Sequence, residues 1–181
     1  MRSLLSFCFL AFLAGAAVAQ TRVALVIGNG AYTGAPSLTK PATDADGMVD
    51  ALQRLGFTVL DRRDLNAAGM RGALLDFAAA MEGADLALLY YSGHSLQFGG
   101  RNRLIPVDAE VAREADIGRE TMRLDLLIEL MERSVSTRIV LLDAGRNSPF
   151  ENRLASAMSA ADAATMLLIV ASRTRLNSSS V

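Results

Sequence analysis

Apolar runs of strand length alternate with helically spaced apolar residues along most of this chain. A short continuous apolar run indicates a buried strand, and apolar residues that recur with a period of about 3.6 indicate a helix. Five strands are predicted, at residues 22–27, 57–60, 85–91, 138–142 and 166–170. Four helices are predicted, at residues 44–55, 66–81, 124–132 and 155–163. This order favours an α/β fold with a mainly parallel sheet.

Capping residues, glycines and prolines predict where several of these elements begin and end. Asp44 is placed to cap the first helix and Asn66 the second. Residues 33–43 contain glycine and proline and are predicted to form a loop. A glycine pair within residues 96–106 predicts a hairpin. After Val170 the sequence becomes polar, and the chain is expected to fray.

Composition limits the class of protein. The chain has 181 residues, of which 51% are hydrophobic and 20% charged, which predicts one ordered domain. Its formal net charge is −1, and no run of five basic residues occurs. A nucleic-acid partner is therefore not predicted.

The first residues have the pattern of an export signal. Arg2 precedes an apolar stretch at residues 4–14 that is short for a membrane span and is followed by a small-x-small cleavage pattern. We therefore predict a signal peptide at residues 1–19, a domain at 20–175 and a frayed tail at 176–181. The mature protein would be periplasmic or secreted, without membrane attachment. An uncleaved membrane anchor is the alternative.

Cysteine and histidine usage excludes several kinds of site. Cys8 is the only cysteine and lies in the predicted signal peptide, so the mature chain would have no disulfide and no cysteine nucleophile. His94 is the only histidine, and no metal site is predicted. Residues 28–30 read Gly-Asn-Gly after a strand but lack the third glycine and the acidic partner of a dinucleotide site. No cofactor is predicted.

Two predicted strands end in residues that suggest a common site. The strand at 85–91 is followed by Ser-Gly-His at 92–94, and the strand at 138–142 by Asp-Ala-Gly at 143–145. Ligands of doubly wound sheets bind at the carboxyl ends of the strands. A histidine about 50 residues ahead of Asp-Ala-Cys is typical of a caspase-type Cys/His dyad. Here the spacing fits, but Gly145 stands at the cysteine position.

Further segments resemble bacterial caspase-like peptidase domains of the metacaspase type. They are Val-Ala-Leu-Val-Ile-Gly-Asn at 23–29, Tyr-Tyr-Ser-Gly-His-Ser-Leu-Gln at 90–97, residues 102–108, Leu-Leu-Asp-Ala at 141–144 and residues 146–150. These matches follow the family's order over most of residues 22–171.

The resemblance implies a caspase-hemoglobinase fold, a three-layer sandwich with helices on both faces of the sheet. Active members are cysteine endopeptidases with histidine as general acid/base. His94 would match the catalytic histidine and Gly145 the nucleophile position, and Gly93 and Gly145 would supply N–H groups near the oxyanion site. Asp143 would match an acidic residue that favours basic P1 side chains. Capping of the sheet end by Asp143 is the alternative.

The chain also departs from the family pattern. Besides Gly145, Ser95 follows the histidine where glycine is usual. Active relatives continue through a further strand and helix, so the domain is expected to be incomplete at its C-terminal end. A serine nucleophile is not predicted, because no Gly-x-Ser-x-Gly segment is present.

Three functional hypotheses follow. In the first, the protein is an inactive caspase-like pseudoprotease that binds a peptide or protein segment, or pairs with an active caspase-like relative through a sheet edge. In the second, it is a cysteine-type endopeptidase that cleaves after Arg or Lys. In the third, it is a decayed gene product without a biochemical role.

Overall fold

The computed structural model describes residues 20–144, Phe150 and residues 169–173. Some predicted features lie outside these ranges: the signal peptide at 1–19, Gly145, the helix at 155–163 and the tail at 176–181. The described strands are β1 (Arg22–Gly28), β2 (Thr58–Arg63), β3 (Leu86–Gly93), β4 (Ser95–Phe98), β5 (Arg101–Leu104), β6 (Met122–Arg123), β7 (Thr137–Ala144) and β8 (Ile169–Arg173). The described helices are α1 (Lys40–Arg54), α2 (Ala67–Ala80), α3 (Glu114–Glu120) and α4 (Leu124–Ser134).

A five-stranded sheet forms the centre of the described molecule, in the order β2-β1-β3-β7-β8. Strands β2, β1, β3 and β7 pair in parallel, and β8 runs antiparallel to β7. Helix α1 covers one face, where Ala24 and Val26 of β1 are buried with Leu52. Helices α2 and α4 cover the other face, where Leu25 of β1 is buried with Phe77. The predicted α/β fold, with a parallel sheet flanked by helices, is confirmed.

Strand β1 shows why the apolar pattern predicts this architecture. Its sequence is almost wholly apolar, and Arg22 is its one residue that is not buried. Successive side chains of a strand point to opposite faces of the sheet. Because helices cover both faces, both sets of side chains must be apolar.

The starts of the first two helices differ in how well the sequence predicts them. Helix α1 begins at Lys40, about one turn before the predicted start at Asp44. Pro41 is tolerated in its first turn, where the missing N–H has no intrahelical partner to lose. Asp44 therefore lies inside the helix, and its predicted role as a cap is wrong. Asn66 is confirmed as the cap of α2, since its side chain accepts the N–H of Gly69 at 2.7 Å.

Within the described ranges, no helix is both long and apolar enough to cross a membrane.

Two strands extend beyond their predicted ends. Strand β2 continues to Arg63, because Arg62 and Arg63 pair with the end of β1. Strand β8 continues to Arg173, so the fraying expected directly after Val170 is wrong. Strand pairing uses main-chain groups, so polar residues join a strand wherever its neighbour offers partners.

A smaller sheet, β4-β5-β6, follows the end of β3. The predicted hairpin is confirmed in β4 and β5, and Gly99 and Gly100 have φ angles of 57° and 71°, as a tight hairpin turn requires. Strand β6 and helix α3 are not predicted from the sequence, because they are too short to show a period. Ile117 of α3 belongs to a small core with Leu96 and Phe150.

Candidate functional site

His94 lies directly after β3, at the carboxyl end of the central strands, and only 6% of its surface is exposed. Its main-chain N–H donates to the hydroxyl of Tyr32 at 2.8 Å. Its carbonyl oxygen accepts a hydrogen bond from the hydroxyl of Tyr91 at 2.6 Å. Two tyrosine side chains therefore hold the main chain of the only histidine on both sides.

These hydroxyl groups belong to a larger buried network. The oxygens of Tyr32 and Tyr91 lie 3.2 Å apart, and Tyr91 also lies 3.1 Å from the carbonyl oxygen of Ile105. The Ile105 N–H donates to the carbonyl of His94 at 3.1 Å. Burial raises the pKa of Tyr32 to about 12, and burial likewise raises the pKa of Tyr91 well above its usual value. Both phenols therefore stay protonated at neutral pH and can donate hydrogen bonds.

Asn29, in the Gly-Asn-Gly segment after β1, extends this network. It is fully buried, its side-chain amide donates to the carbonyl of Ile105 at 3.3 Å, and its Oδ1 accepts the N–H of Leu65 at 2.9 Å. These contacts give the segment a structural role in joining the strand ends around His94.

The imidazole of His94 is held in one orientation. Its Nε2 lies 2.8 Å from the carbonyl oxygen of Pro36. A carbonyl can only accept, so Nε2 carries a hydrogen and Nδ1 of the neutral ring has a lone pair. The Nδ1 atom is buried and has no hydrogen-bond partner among the described residues. The ring also contacts Tyr32, with ring centroids 4.5 Å apart.

Burial lowers the pKa of His94 below its usual value, and the hydrogen bond to Pro36 opposes this only in part. The ring is therefore neutral at pH 7. A neutral imidazole with an unengaged Nδ1 has the form that a general base needs. Ser92 and Ser95, which flank the Gly93-His94 pair, do not bond to this nitrogen.

Gly93 is required by close packing around the tyrosines. A Cβ atom at this position would lie 2.6 Å from the hydroxyl of Tyr32 and 2.8 Å from that of Tyr91. Both distances are shorter than a normal contact, and both hydroxyls are fixed by hydrogen bonds. The Gly-His pair therefore has a steric reason that does not depend on catalysis.

The ends of β3 and β7 lie side by side in register. Ser92 pairs with Asp143, and Gly93 pairs with Ala144. This confirms that the two predicted segments meet at one edge of the sheet. Gly145 follows Ala144 outside the described residues, so its predicted N–H group and that of Gly93 stay predictions.

A cavity of about 360 Å³ opens beside these strand ends. Its lining includes Lys40, Asp44, Ser92, Gly93 and Asp143. Asp143 is exposed and Asp44 is half-buried, so two acidic residues and one lysine line this space. Burial raises the pKa of Tyr90, and the charges of Asp143 and Asp44 raise it further, while a hydrogen bond with Ser92 opposes the change.

Three residues of this site escaped the sequence-based prediction. For Asp44 the sequence predicts a helix cap instead, because carboxylates are common at that position. Tyr32 lies far from His94 in sequence, and no local pattern connects them. Pro36 contributes a main-chain carbonyl, which a sequence does not signal by residue type.

Metal binding finds no support in the part of the chain that the structure describes. No group of three or more His, Cys, Asp or Glu side chains is arranged there to hold a metal ion.

Comparison with known proteins points to one family. A family model described as the caspase domain, peptidase family C14, matches residues 21–179. The human mucosa-associated lymphoid tissue lymphoma translocation protein 1 is 31% identical over 130 residues, which cover 71% of this chain and 15% of that protein. Its mouse homolog is 30% identical over 133 residues, covering 73% of this chain and 16% of that protein. The chain thus spans less than a fifth of the length of these curated relatives.

A solved structure supports the fold independently. The crystal structure of the Drosophila initiator caspase Dronc matches with a TM-score of 0.53, covering 67% of this chain and 47% of that chain. The sequence identity is 10%, so this likeness concerns the fold alone.

Proposed function

We propose that this chain, which belongs to the caspase domain family, is a catalytically inactive member. Its function would be to bind a peptide or protein segment. The segment would place a basic side chain in the cavity beside β3 and β7. The observation that carries this proposal is the pair of carboxylates, Asp44 and Asp143, on the lining of that cavity.

The charge of the cavity favours arginine or lysine. Asp44 and Asp143 together outweigh Lys40, so the lining carries a net negative charge. A guanidinium or ammonium group would gain charge-assisted hydrogen bonds from these carboxylates. The polar Ser92 and the main chain of Gly93 complete one wall. Because Asp44 adds a second carboxylate to the same lining, we favour recognition of a basic side chain by Asp143 over capping of the sheet end.

The absence of a thiol at the expected nucleophile position argues for binding without cleavage. Position 145, one residue after the end of β7, is glycine where the family resemblance expects the nucleophilic cysteine. Cys8 is the only cysteine, far from His94 in the sequence. A glycine has no atom that can attack a carbonyl or carry an acyl group.

The state of His94 favours the alternative, a cysteine-type endopeptidase that cleaves after Arg or Lys. Its ring is neutral, oriented by the Pro36 carbonyl, and leaves Nδ1 unengaged among the described residues. This is the arrangement that could take a proton from a nucleophile and return it to a leaving amine. The alternative needs a nucleophile other than the residue at position 145.

Location and partner complete the proposal. The signal-like segment at residues 1–19 favours a periplasmic or secreted protein of bacterial origin. A peptide or protein segment fits the cavity, and an active caspase-like relative is a candidate partner. Strand β8 is the last in the described sheet order, and an edge strand can pair with another chain.

The binding test uses fluorescence anisotropy with a labelled peptide containing one arginine and a matched peptide with glutamine. We expect the arginine peptide to bind more tightly. Asp143→Asn and Asp44→Asn should each weaken the binding of the arginine peptide by about fivefold, the loss expected when a partly exposed charge pair is removed. Asp50→Asn, also on α1 but outside the cavity lining, is the matched control. Equal binding of both peptides would contradict the proposal.

A hydrolysis assay separates the two functions. With a fluorogenic substrate carrying arginine at P1, we expect no turnover by the wild type and turnover by Gly145→Cys. Turnover by the wild type that is lost in His94→Ala would instead establish the endopeptidase.

A further inference from the structure

A second cavity, of about 270 Å³, lies between α2, β5 and the segment that joins α3 to α4. Four arginines line it: Arg71, Arg103, Arg119 and Arg123. Glu120 is the one acidic residue of the lining. None of these residues lines the cavity of Asp143, so the two sites are separate.

Two of these arginines are already neutralised. Arg119 pairs with Glu120 at 2.8 Å and with Asp116 at 3.6 Å. Arg123 pairs with Asp125. The other oxygen of Glu120 accepts a main-chain N–H at 3.3 Å. The carboxylates around the cavity are therefore occupied by other partners.

The other two arginines have no carboxylate partner within the described residues. Arg103 donates only weakly, to the carbonyl of Ile117 at 3.4 Å and the hydroxyl of Thr121 at 3.2 Å. Its Nε atom is buried without a hydrogen-bond partner in that part of the chain. Arg71 is exposed and forms neither an ion pair nor a hydrogen bond there. A guanidinium group without a carboxylate partner keeps an uncompensated positive charge, and an anion in the cavity would offset that charge.

The electrostatic environment of Arg103 agrees with this geometry. Its pKa is lowered by burial first and by the positive charge of Arg123 second, while Asp125 opposes the change. Its positive charge is therefore only partly compensated. An anion in the cavity would compensate it and would accept hydrogen bonds.

We propose that this arginine cavity binds a compact oxyanion, a phosphate or carboxylate group, between the guanidinium groups of Arg71 and Arg103. A guanidinium presents several donors in a planar fork that matches such an oxyanion. The volume lies below the roughly 300 Å³ at which cavities for drug-sized molecules begin, which favours a small anionic group. Leu126, half exposed on the same lining, would contact any apolar part of the molecule that carries this group.

The test is calorimetric titration of the folded protein with inorganic phosphate and, separately, with succinate at constant ionic strength. We expect at least one to bind, and the tighter of the two identifies the geometry of the oxyanion. Arg103→Gln should weaken that binding about tenfold, the size of a lost charge-assisted contact. Arg71→Gln should weaken it about threefold, and because Arg71 makes no described contact this variant keeps the fold.

Arg133→Gln is the matched control, since Arg133 is exposed on α4 but does not line the cavity. It should bind like the wild type. Absence of binding by both probes, or equal weakening by the control, would overturn the proposal. The outcome does not depend on peptide binding or hydrolysis at His94.

Discussion

At the histidine site both main-chain polar groups of His94 have partners, whereas at the arginine cavity two guanidinium groups lack a carboxylate among the described residues. The first site lies at the end of the central sheet, where His94, Tyr32 and Tyr91 are all buried. The second lies under a short helix and a small sheet, where charged side chains reach solvent. Polar groups that are hydrogen-bonded within the protein stabilise a rigid framework, whereas an arginine charge without a carboxylate partner favours the binding of an anionic ligand.

This difference predicts that substitutions at the histidine site change stability, while those at the arginine cavity change binding. The largest expected effect is at Gly93. Gly93→Ala would press a Cβ against the hydroxyls of Tyr32 and Tyr91, and we expect a loss of about 3 kcal/mol in the free energy of unfolding.

Urea denaturation measures this loss. Gly72→Ala is the matched control, because a Cβ there has no atom within 4 Å. Its free energy of unfolding should rise by about 1 kcal/mol, since Gly72 lies in helix α2 and alanine has the higher helix propensity. If both substitutions have the same effect, packing at Gly93 is not the constraint that the structure indicates.

A smaller effect is expected from Tyr91→Phe. The ring and its packing are kept, but the carbonyl group of His94 loses the hydroxyl hydrogen that Tyr91 donates to it at 2.6 Å. We expect a loss of about 2 kcal/mol in the free energy of unfolding, measured by urea denaturation.

At the arginine cavity, Arg71→Gln should change the free energy of unfolding by less than about 0.5 kcal/mol. If Arg71→Gln lowered the free energy of unfolding more than Tyr91→Phe, the contrast between the two sites would be wrong.

The smallest effect concerns pH. His94 should titrate below its usual pKa of 6.5, because burial disfavours the imidazolium ion. The unfolded chain then binds the proton at a higher pH than the folded chain. The contribution of His94 to stability is therefore lost as the pH falls below 6.5 and regained as it rises.

As His94 is the only histidine, its ring signals in an NMR titration need no assignment. His94→Gln should flatten the pH dependence of stability in this range. A midpoint at or above 6.5 would show that the ring is better solvated than the structure indicates.

Much of the central sheet could be predicted from the sequence. Three of its strands, β1, β3 and β7, contain continuous apolar runs, and Asn66 signals the start of α2 through its capping side chain. The strand ends carrying His94 and Asp143 were also predictable, since parallel strands bring their carboxyl ends to one edge. Helix α3 and strand β6 were not, because short polar segments take their structure from neighbours.

Residue type and spacing along the chain predict the α/β order, and they show the single histidine and the glycine directly after β7 where a thiol is expected. Three features emerge only in the folded chain: Pro36 orients the His94 ring, Asp44 and Asp143 line one cavity, and Arg71 and Arg103 line another. These contacts join residues that are far apart in the chain or use main-chain atoms, and no local pattern of side chains records either.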